Sequence, residues 1–147
     1  MSKDLYESRT MYQKPTVLVI TIICVMILAI FIIDFVTKRV SISKIDHDTL
    51  EVIKLIINED SDKRKEKADN ELKRLGYKNP NFNIIEDDDY VILVNNSSYF
   101  TIIGELTKKP KYYTSTYKAY FNEYHEIVAE KYIDQDEAIK NDNVIIK

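Results

Sequence analysis

The sequence predicts an α+β membrane-anchored protein: one N-terminal transmembrane helix, extended as an amphipathic helix and packed on a small antiparallel sheet. Three observations carry that prediction. Residues Thr16–Ile33 (TVLVITIICVMILAIFII) are apolar throughout, with no charge, Gly or Pro. Beyond them, apolar residues recur at helical spacing as far as Ile57. After Pro80 the apolar spacing switches towards the two-residue period of strands.

The apolar run comes first because it sets the address. At about 1.5 Å of rise per residue, Pro15 to Val36 covers roughly 30 Å, the thickness of a bilayer's hydrocarbon core. A core helix of a soluble protein would keep a polar stripe, and this run has none. Its anchor residues include Val17, Val19, Ile22, Ile23, Met26, Ile30 and Ile33. Thr16 and Thr21 can each return a hydrogen bond to a carbonyl one turn earlier. The run is longer than the apolar part of a signal peptide, and Asp34-Phe35-Val36-Thr37-Lys38-Arg39 follows it without an Ala-x-Ala-like cleavage site. The expected anchor therefore occupies 15–37 and stays uncleaved. Cys24, the single cysteine, lies inside it and cannot form an internal disulfide.

Residues 1–14 form a short polar tail, expected to be disordered or to lie on the headgroups, with Tyr6 and Tyr12 at the interface and Pro15 in the first helical turn. Lys3, Arg9 and Lys14 precede the run; Lys38, Arg39 and Lys44 follow it. That balance, tipped by the α-amine, places the N-terminus inside and the C-terminal domain outside. High Lys, Ile, Asn, Asp and Tyr with little Gly and Ala is the usage of an AT-rich bacterial genome, so the expected location is the bacterial cytoplasmic membrane.

The tethered domain is expected over 38–134. Ile42, Ile45, Thr49, Val52 and Ile56 step by three or four, and Leu50, Ile53 and Ile57 widen the stripe. With no Gly or Pro between Pro15 and Asn58, this helix can continue the anchor as one rod. A hinge at Ser41–Ser43, or a new start capped by Ser43 or Asp46, is the alternative. A second helix begins at Asp60 or Ser61, carries Lys73 and Arg74 in its last turn, and stops at Gly76 with Tyr77 packing back on Leu72. Its thin apolar side (Ala68, Leu72, Leu75) predicts a surface helix, and Lys63–Lys67 a solvated face.

Lys78–Asn81 reads as a turn, Phe82–Ile85 as a strand, Glu86–Asp89 as a turn and Tyr90–Asn95 as a strand. Asn95–Ser98 reads as another turn, Tyr99–Ile103 as a third strand and Gly104–Lys111 as a loop. Tyr112–Phe121, rich in Tyr and Thr, reads as a fourth strand. Glu123–Ile133 returns to helical spacing and predicts a closing helix. The remainder, 135–147, reads as a charged mobile tail in which Val144-Ile145-Ile146 could add a short strand. A sheet of about four strands needs a cover for its apolar face. The stripe from Ile42 to Ile57 supplies it, with Ile42, Ile45, Val52, Ile53 and Ile56 as the packing residues.

No catalytic constellation is visible. His47 and His125 have no partner at metal-ligand spacing. Glu86–Asp89 lacks the alternation and glycine of a calcium loop and reads as a solvated turn, although a hard cation is the open alternative. Gly76 and Gly104 are the only glycines, so there is no glycine-rich phosphate cradle. Asp34 reads as a side chain reaching the membrane interface. Residues 38–147 hold 18 Lys and Arg against 21 Asp and Glu, interspersed, which removes nucleic-acid binding from consideration. Neither enzymatic activity nor a cofactor is expected. The partners expected are membrane lipid and other membrane or pilus subunits, in a homo- or hetero-oligomer. The chain has eleven Tyr and no Trp, and Tyr112, Tyr113, Tyr117, Tyr120 and Tyr124 form a candidate partner interface, with burial of half of them on a core face as the alternative.

The order of elements resembles that of pilin-like proteins, especially the TadE-type minor pilins of tight-adherence pilus systems. Residues 68–121 carry the resemblance: Ala68–Tyr77 (ADNELKRLGY), the strand Tyr90–Asn95, Tyr99–Gly104 (YFTIIG) and Tyr117–Phe121 (YKAYF). It implies a structural or assembly subunit of a pilus or secretion machine. Prepilins of that kind usually carry a small residue before the apolar run and a Glu early within it. Here Lys14-Pro15 precedes the run and no Glu lies inside, so the resemblance implies either an unprocessed assembly component or a likeness of architecture alone. The other reading is an accessory or sensory subunit of a larger transporter or secretion complex.

Overall fold

The structure, a computed structural model, describes residues 2–132, with side chains from Lys14 onward. Helix α1 runs unbroken over Ser2–Ile56, 55 residues, or about 80 Å at the usual rise. The hinge at Ser41–Ser43 does not form: nothing in this stretch withholds an N–H from the helix, and the stripe beyond the anchor is buried by the domain. The helix also includes the expected tail. Leu5, Glu7, Arg9, Met11, Gln13 and Lys14 are good helix formers, so Pro15 lies inside the helix instead of in its first turn, at the cost of one backbone hydrogen bond. The interfacial placement of Tyr6 and Tyr12 lies outside the described side chains. The tail 135–147 and the strand at Val144–Ile146 lie outside the described residues.

Helix α2 (Ser61–Arg74) follows a short turn and runs back along α1. Its start is tied down by Arg64, whose Nε donates to the Ile56 carbonyl at 3.2 Å and whose guanidinium meets Glu86 at 3.2 Å. Its end is a Schellman closure: the Gly76 N–H bonds the Lys73 carbonyl and the Tyr77 N–H the Leu72 carbonyl, each at 3.1 Å, with Gly76 at φ +104°. The thin apolar side does more than expected. Ala68 and Leu72 are wholly buried, because α1 offers a complementary face that the sequence of α2 alone does not reveal.

Four strands, β1 (Asn81–Glu86), β2 (Val91–Tyr99), β3 (Lys111–Phe121) and β4 (Ile127–Lys131), form an antiparallel meander in the order β1-β2-β3-β4. A short helix, α3 (Ile102–Leu106), interrupts the β2–β3 connection. The core is a single cluster. Val52, Ile53, Ile56 and Ile57 from α1 meet Ala68 and Leu72 from α2, Val91 and Leu93 from β2, and Ala119 from β3. Half-buried Leu50, Tyr77, Ile84, Tyr117 and Ala129 close around it. The amphipathic half of α1 thus covers one face of the sheet. Ile45, Val52, Ile53 and Ile56 are buried in that role, while Ile42 is only half-buried because it sits nearer the membrane, where the sheet contact turns polar.

Three expectations are corrected. The Asn95–Ser98 turn is instead the continuation of β2, paired from Asn95↔Ser115 to Ser98↔Tyr112. Turn-forming residues stay extended because the side chains facing α1 have partners there: Asn95 Nδ2 donates to Thr49 Oγ1 and Ser97 Oγ to Asn95 Oδ1, both at 3.0 Å. The strand at Tyr99–Ile103 ends at Tyr99, and residues from Ile102 form α3. Thr101 caps α3 through its side chain, which accepts the Gly104 N–H at 3.1 Å. Gly104 is required there, since a Cβ would lie 2.9 Å from the Lys109 carbonyl oxygen.

The third correction is the closing helix, which is absent. Residues 122–131 supply instead the loop of a β3–β4 hairpin and strand β4. Asn122 Oδ1 accepts the N–H groups of Tyr124 and Glu126 at 3.0 and 2.9 Å, and His125 takes φ +58°. These are the features of a three-residue hairpin loop with a left-handed last residue. Ile127 and Val128 then pair with Phe121 and Tyr120, which outweighs their helical spacing.

Candidate membrane anchor and partner surface

The anchor is the part of α1 that the domain leaves bare. Val17, Val19, Ile22, Ile23, Met26, Ile30 and Ile33 are all exposed, from 60% for Met26 to 41% for Ile30. No residue of the most apolar window is buried. A helix apolar on every side and covered on none has no place in water, because burial of such surface is the main favourable term in folding. Thr21 returns its hydroxyl to the Val17 carbonyl at 2.8 Å, so no unpaired donor enters the apolar medium there. The chain is a single-pass membrane-anchored protein.

The domain meets α1 in two zones. Farthest from the anchor the contact is the apolar cluster. Nearer the anchor it is a polar junction centred on Asp46, whose side chain is only 18% exposed. Its carboxylate accepts from Ser115 Oγ at 2.6 Å, from the Tyr113 hydroxyl at 3.1 Å and from Lys131 Nζ at 2.7 Å. Lys131 Nζ also donates to the Tyr113 hydroxyl oxygen at 2.8 Å. Helix α1 is thereby joined to β3 and β4 by charge-assisted hydrogen bonds. One turn further on, Thr49 Oγ1 donates to the Ile45 carbonyl and accepts from Asn95. Asp48, buried, accepts the Tyr77 hydroxyl at 2.9 Å. Every buried side-chain nitrogen and oxygen among the described residues has a partner.

This junction sorts the tyrosines. Adjacent residues of a strand face opposite sides of the sheet, so Tyr113 and Tyr117 face α1 while Tyr112 and Tyr120 face away. Tyr113 and Tyr117 therefore belong to the internal junction and not to an outward surface. Tyr112, 78% exposed, and Tyr124, 80% exposed at the tip of the β3–β4 hairpin, are open to a partner, and Tyr120 is half-buried on the outer face. The Asp46 junction itself has no local sequence signal, since Ser115 and Lys131 lie 69 and 85 residues away.

The remaining candidates resolve simply. Glu86 pairs with Arg64, and Asp87–Asp89 are exposed in the β1–β2 turn. Among the described residues no group of three or more His, Cys, Asp and Glu is placed to hold a metal ion. His47 and His125 are exposed. Asp34 reaches inward to the domain: its Oδ1 accepts the Ile103 N–H at 2.8 Å and its Oδ2 lies 3.8 Å from Lys111 Nζ. Compared with protein-family models, curated proteins and solved structures, the chain matches none.

The junction carries a pH dependence. Burial and the Asp48 contact push the Tyr77 hydroxyl far above the ordinary tyrosine range. Burial also raises Tyr113, with Lys131 pulling the other way. Lys131 is raised as well: burial opposes its charge, but its bonds to Asp46 and Tyr113 prevail. In each case the folded chain keeps a proton that the unfolded chain gives up near pH 10. Stability from these groups is therefore level below about pH 10 and falls as pH rises beyond it. Tyr77→Phe is expected to lower stability at neutral pH by about 1–3 kcal/mol, since buried Asp48 loses its donor. The same variant should flatten the alkaline fall, as read by thermal unfolding in detergent micelles between about pH 7 and 11.

Proposed function

We propose that this chain is a non-catalytic, pilin-like assembly subunit of the bacterial cytoplasmic membrane, with its N-terminus inside and its domain outside. The observation that supports this best is the continuity of α1. One helix passes from the apolar span into the centre of the domain, so lateral packing of anchors fixes the placement of domains. The order of elements supports the same reading: a protruding apolar helix whose second half covers a four-stranded antiparallel meander. The orientation rests on the charges flanking the span.

Cys24 is exposed on the anchor and provides the test. Oxidative crosslinking through Cys24 in native membranes at native expression is expected to trap adducts with a second copy or with another small anchored subunit. Monomer alone would overturn the assembly role. A second reading, an accessory or sensory subunit, draws on the far end of the domain, where Phe121 and Tyr124 are exposed on the β3–β4 hairpin. It predicts a single adduct with one larger membrane protein and no self-adduct.

A further inference from the structure

The β2–β3 connection, residues 100–111, carries surface that neither the core nor the anchor accounts for. Phe100, Ile102 and Leu106 are exposed, Leu106 to 75%. A soluble domain seldom clusters large apolar side chains in one short turn on its surface. The turn is not free to move away from α1. The Ile103 N–H is held by Asp34, Lys111 stands beside the same carboxylate, and Gly104 packs against the Lys109 carbonyl. Asp34 is the residue directly after the apolar run, and Phe35 and Val36 beside it are exposed as the run is. The connection is therefore fixed at the level where the helix leaves the hydrocarbon.

Charge is arranged to match. Lys108, Lys109 and Lys111 are exposed in the connection, against one carboxylate, Glu105. Lys38 and Arg39 on α1 lie at the same end, Arg39 over the Phe35 ring at 4.9 Å. The opposite end of the domain is acidic, with Asp87, Asp88, Asp89, Glu123 and Glu126 in its two hairpin turns. An acidic domain thus turns its basic, apolar end towards the bilayer.

We propose that residues 100–111 form a second membrane contact. Phe100, Ile102 and Leu106 enter the boundary between headgroups and acyl chains, and Lys108 and Lys109 meet anionic headgroups. This is the chemistry of an interfacial amphipathic segment. The single helix then cannot swivel freely, and the domain stands on the membrane in one orientation. The inference rests on the anchor alone and is independent of the assembly role.

The test uses the full chain with Cys24→Ala, reconstituted at one copy per nanodisc in phosphatidylcholine containing roughly 30% phosphatidylglycerol, an anionic surface. Leu106→Cys carries an environment-sensitive fluorophore, and Tyr124→Cys carries it at the far tip. Leu106 is exposed enough that labelling leaves the core intact, and the unfolding temperature of each variant verifies this. Quenching by lipids spin-labelled near the headgroup is expected to be roughly fivefold stronger at 106 than at 124, given a burial depth of about 5–10 Å. Lys108→Glu with Lys109→Glu should reduce that quenching about twofold or more, as should nanodiscs of phosphatidylcholine alone. Equal quenching at the two positions overturns the contact. Protection at 106 that appears only when two copies share a disc assigns the face to a second copy and also overturns it. Quenching unchanged by charge reversal and by neutral lipid overturns the role of anionic headgroups.

Discussion

Ile53→Ala should destabilise the tethered domain by about 2–5 kcal/mol, the largest single-residue effect expected outside the anchor. Ile53 is fully buried at the point where α1, α2 and the sheet converge. Truncation loses the transfer free energy of three carbons and leaves a cavity. The walls cannot close over it, because α1 is one rigid rod and the opposing residues belong to a hydrogen-bonded sheet. For a domain of this size each kcal/mol lowers the unfolding temperature by about 4–8 °C. Thermal unfolding in detergent micelles should therefore fall well below that of the unaltered chain. Leu55→Ala is the control: Leu55 lies on the exposed side of the same turn, at 42%, and should change stability by less than about 0.5 kcal/mol. Equal effects at the two positions would mean that the helix does not present this face to the sheet.

The second large effect belongs to the anchor. Ile23→Arg combined with Ile27→Arg puts two charges into the apolar run, each costing about 2.5–3.5 kcal/mol at a helix centre on the insertion scale. One such charge can snorkel to an interface, whereas two near the middle of a single unpartnered helix exceed what snorkelling relieves. The double variant is expected to move from the carbonate-resistant membrane fraction to the extractable fraction. The unaltered chain should stay with the membrane until detergent is added. A double variant that resists carbonate extraction as fully as the unaltered chain would show that this stretch is not what holds the protein in the bilayer.

The sheet shows where sequence reading succeeds and fails. The β1–β2 turn was legible at Glu86–Asp89 because four consecutive acidic residues cannot sit on a buried face. The α2 terminus was legible because Gly76 with Lys73 and Arg74 is a local signal, complete within one turn. The β3–β4 hairpin was not legible. Tyr124, Ile127, Val128 and Lys131 have helical spacing, and only pairing of Ala129 with Ala119 across the sheet selects the strand. The tyrosines could not be sorted from the sequence for a related reason. Alternation separates Tyr112 from Tyr113, but which side becomes internal depends on Asp46 lying opposite.

Local chemistry alone determined the anchor, α2 and the existence of a meander covered by the stripe on α1. Each rests on interactions within a few residues or on apolar periodicity, and both are written along the chain. The tertiary structure decided the course of β2 past Asn95, the conversion of the last predicted helix into β4, and the Asp46 junction. It also held the 100–111 connection against Asp34. The course of β2, the Asp46 junction and the 100–111 connection depend on partners 46 to 85 residues away, and β4 depends on its pairing with β3, as at Ala119↔Ala129. A polar side chain that looks like a turn former stays in a strand once a distant helix satisfies its hydrogen bonds, and no local pattern records which helix that will be.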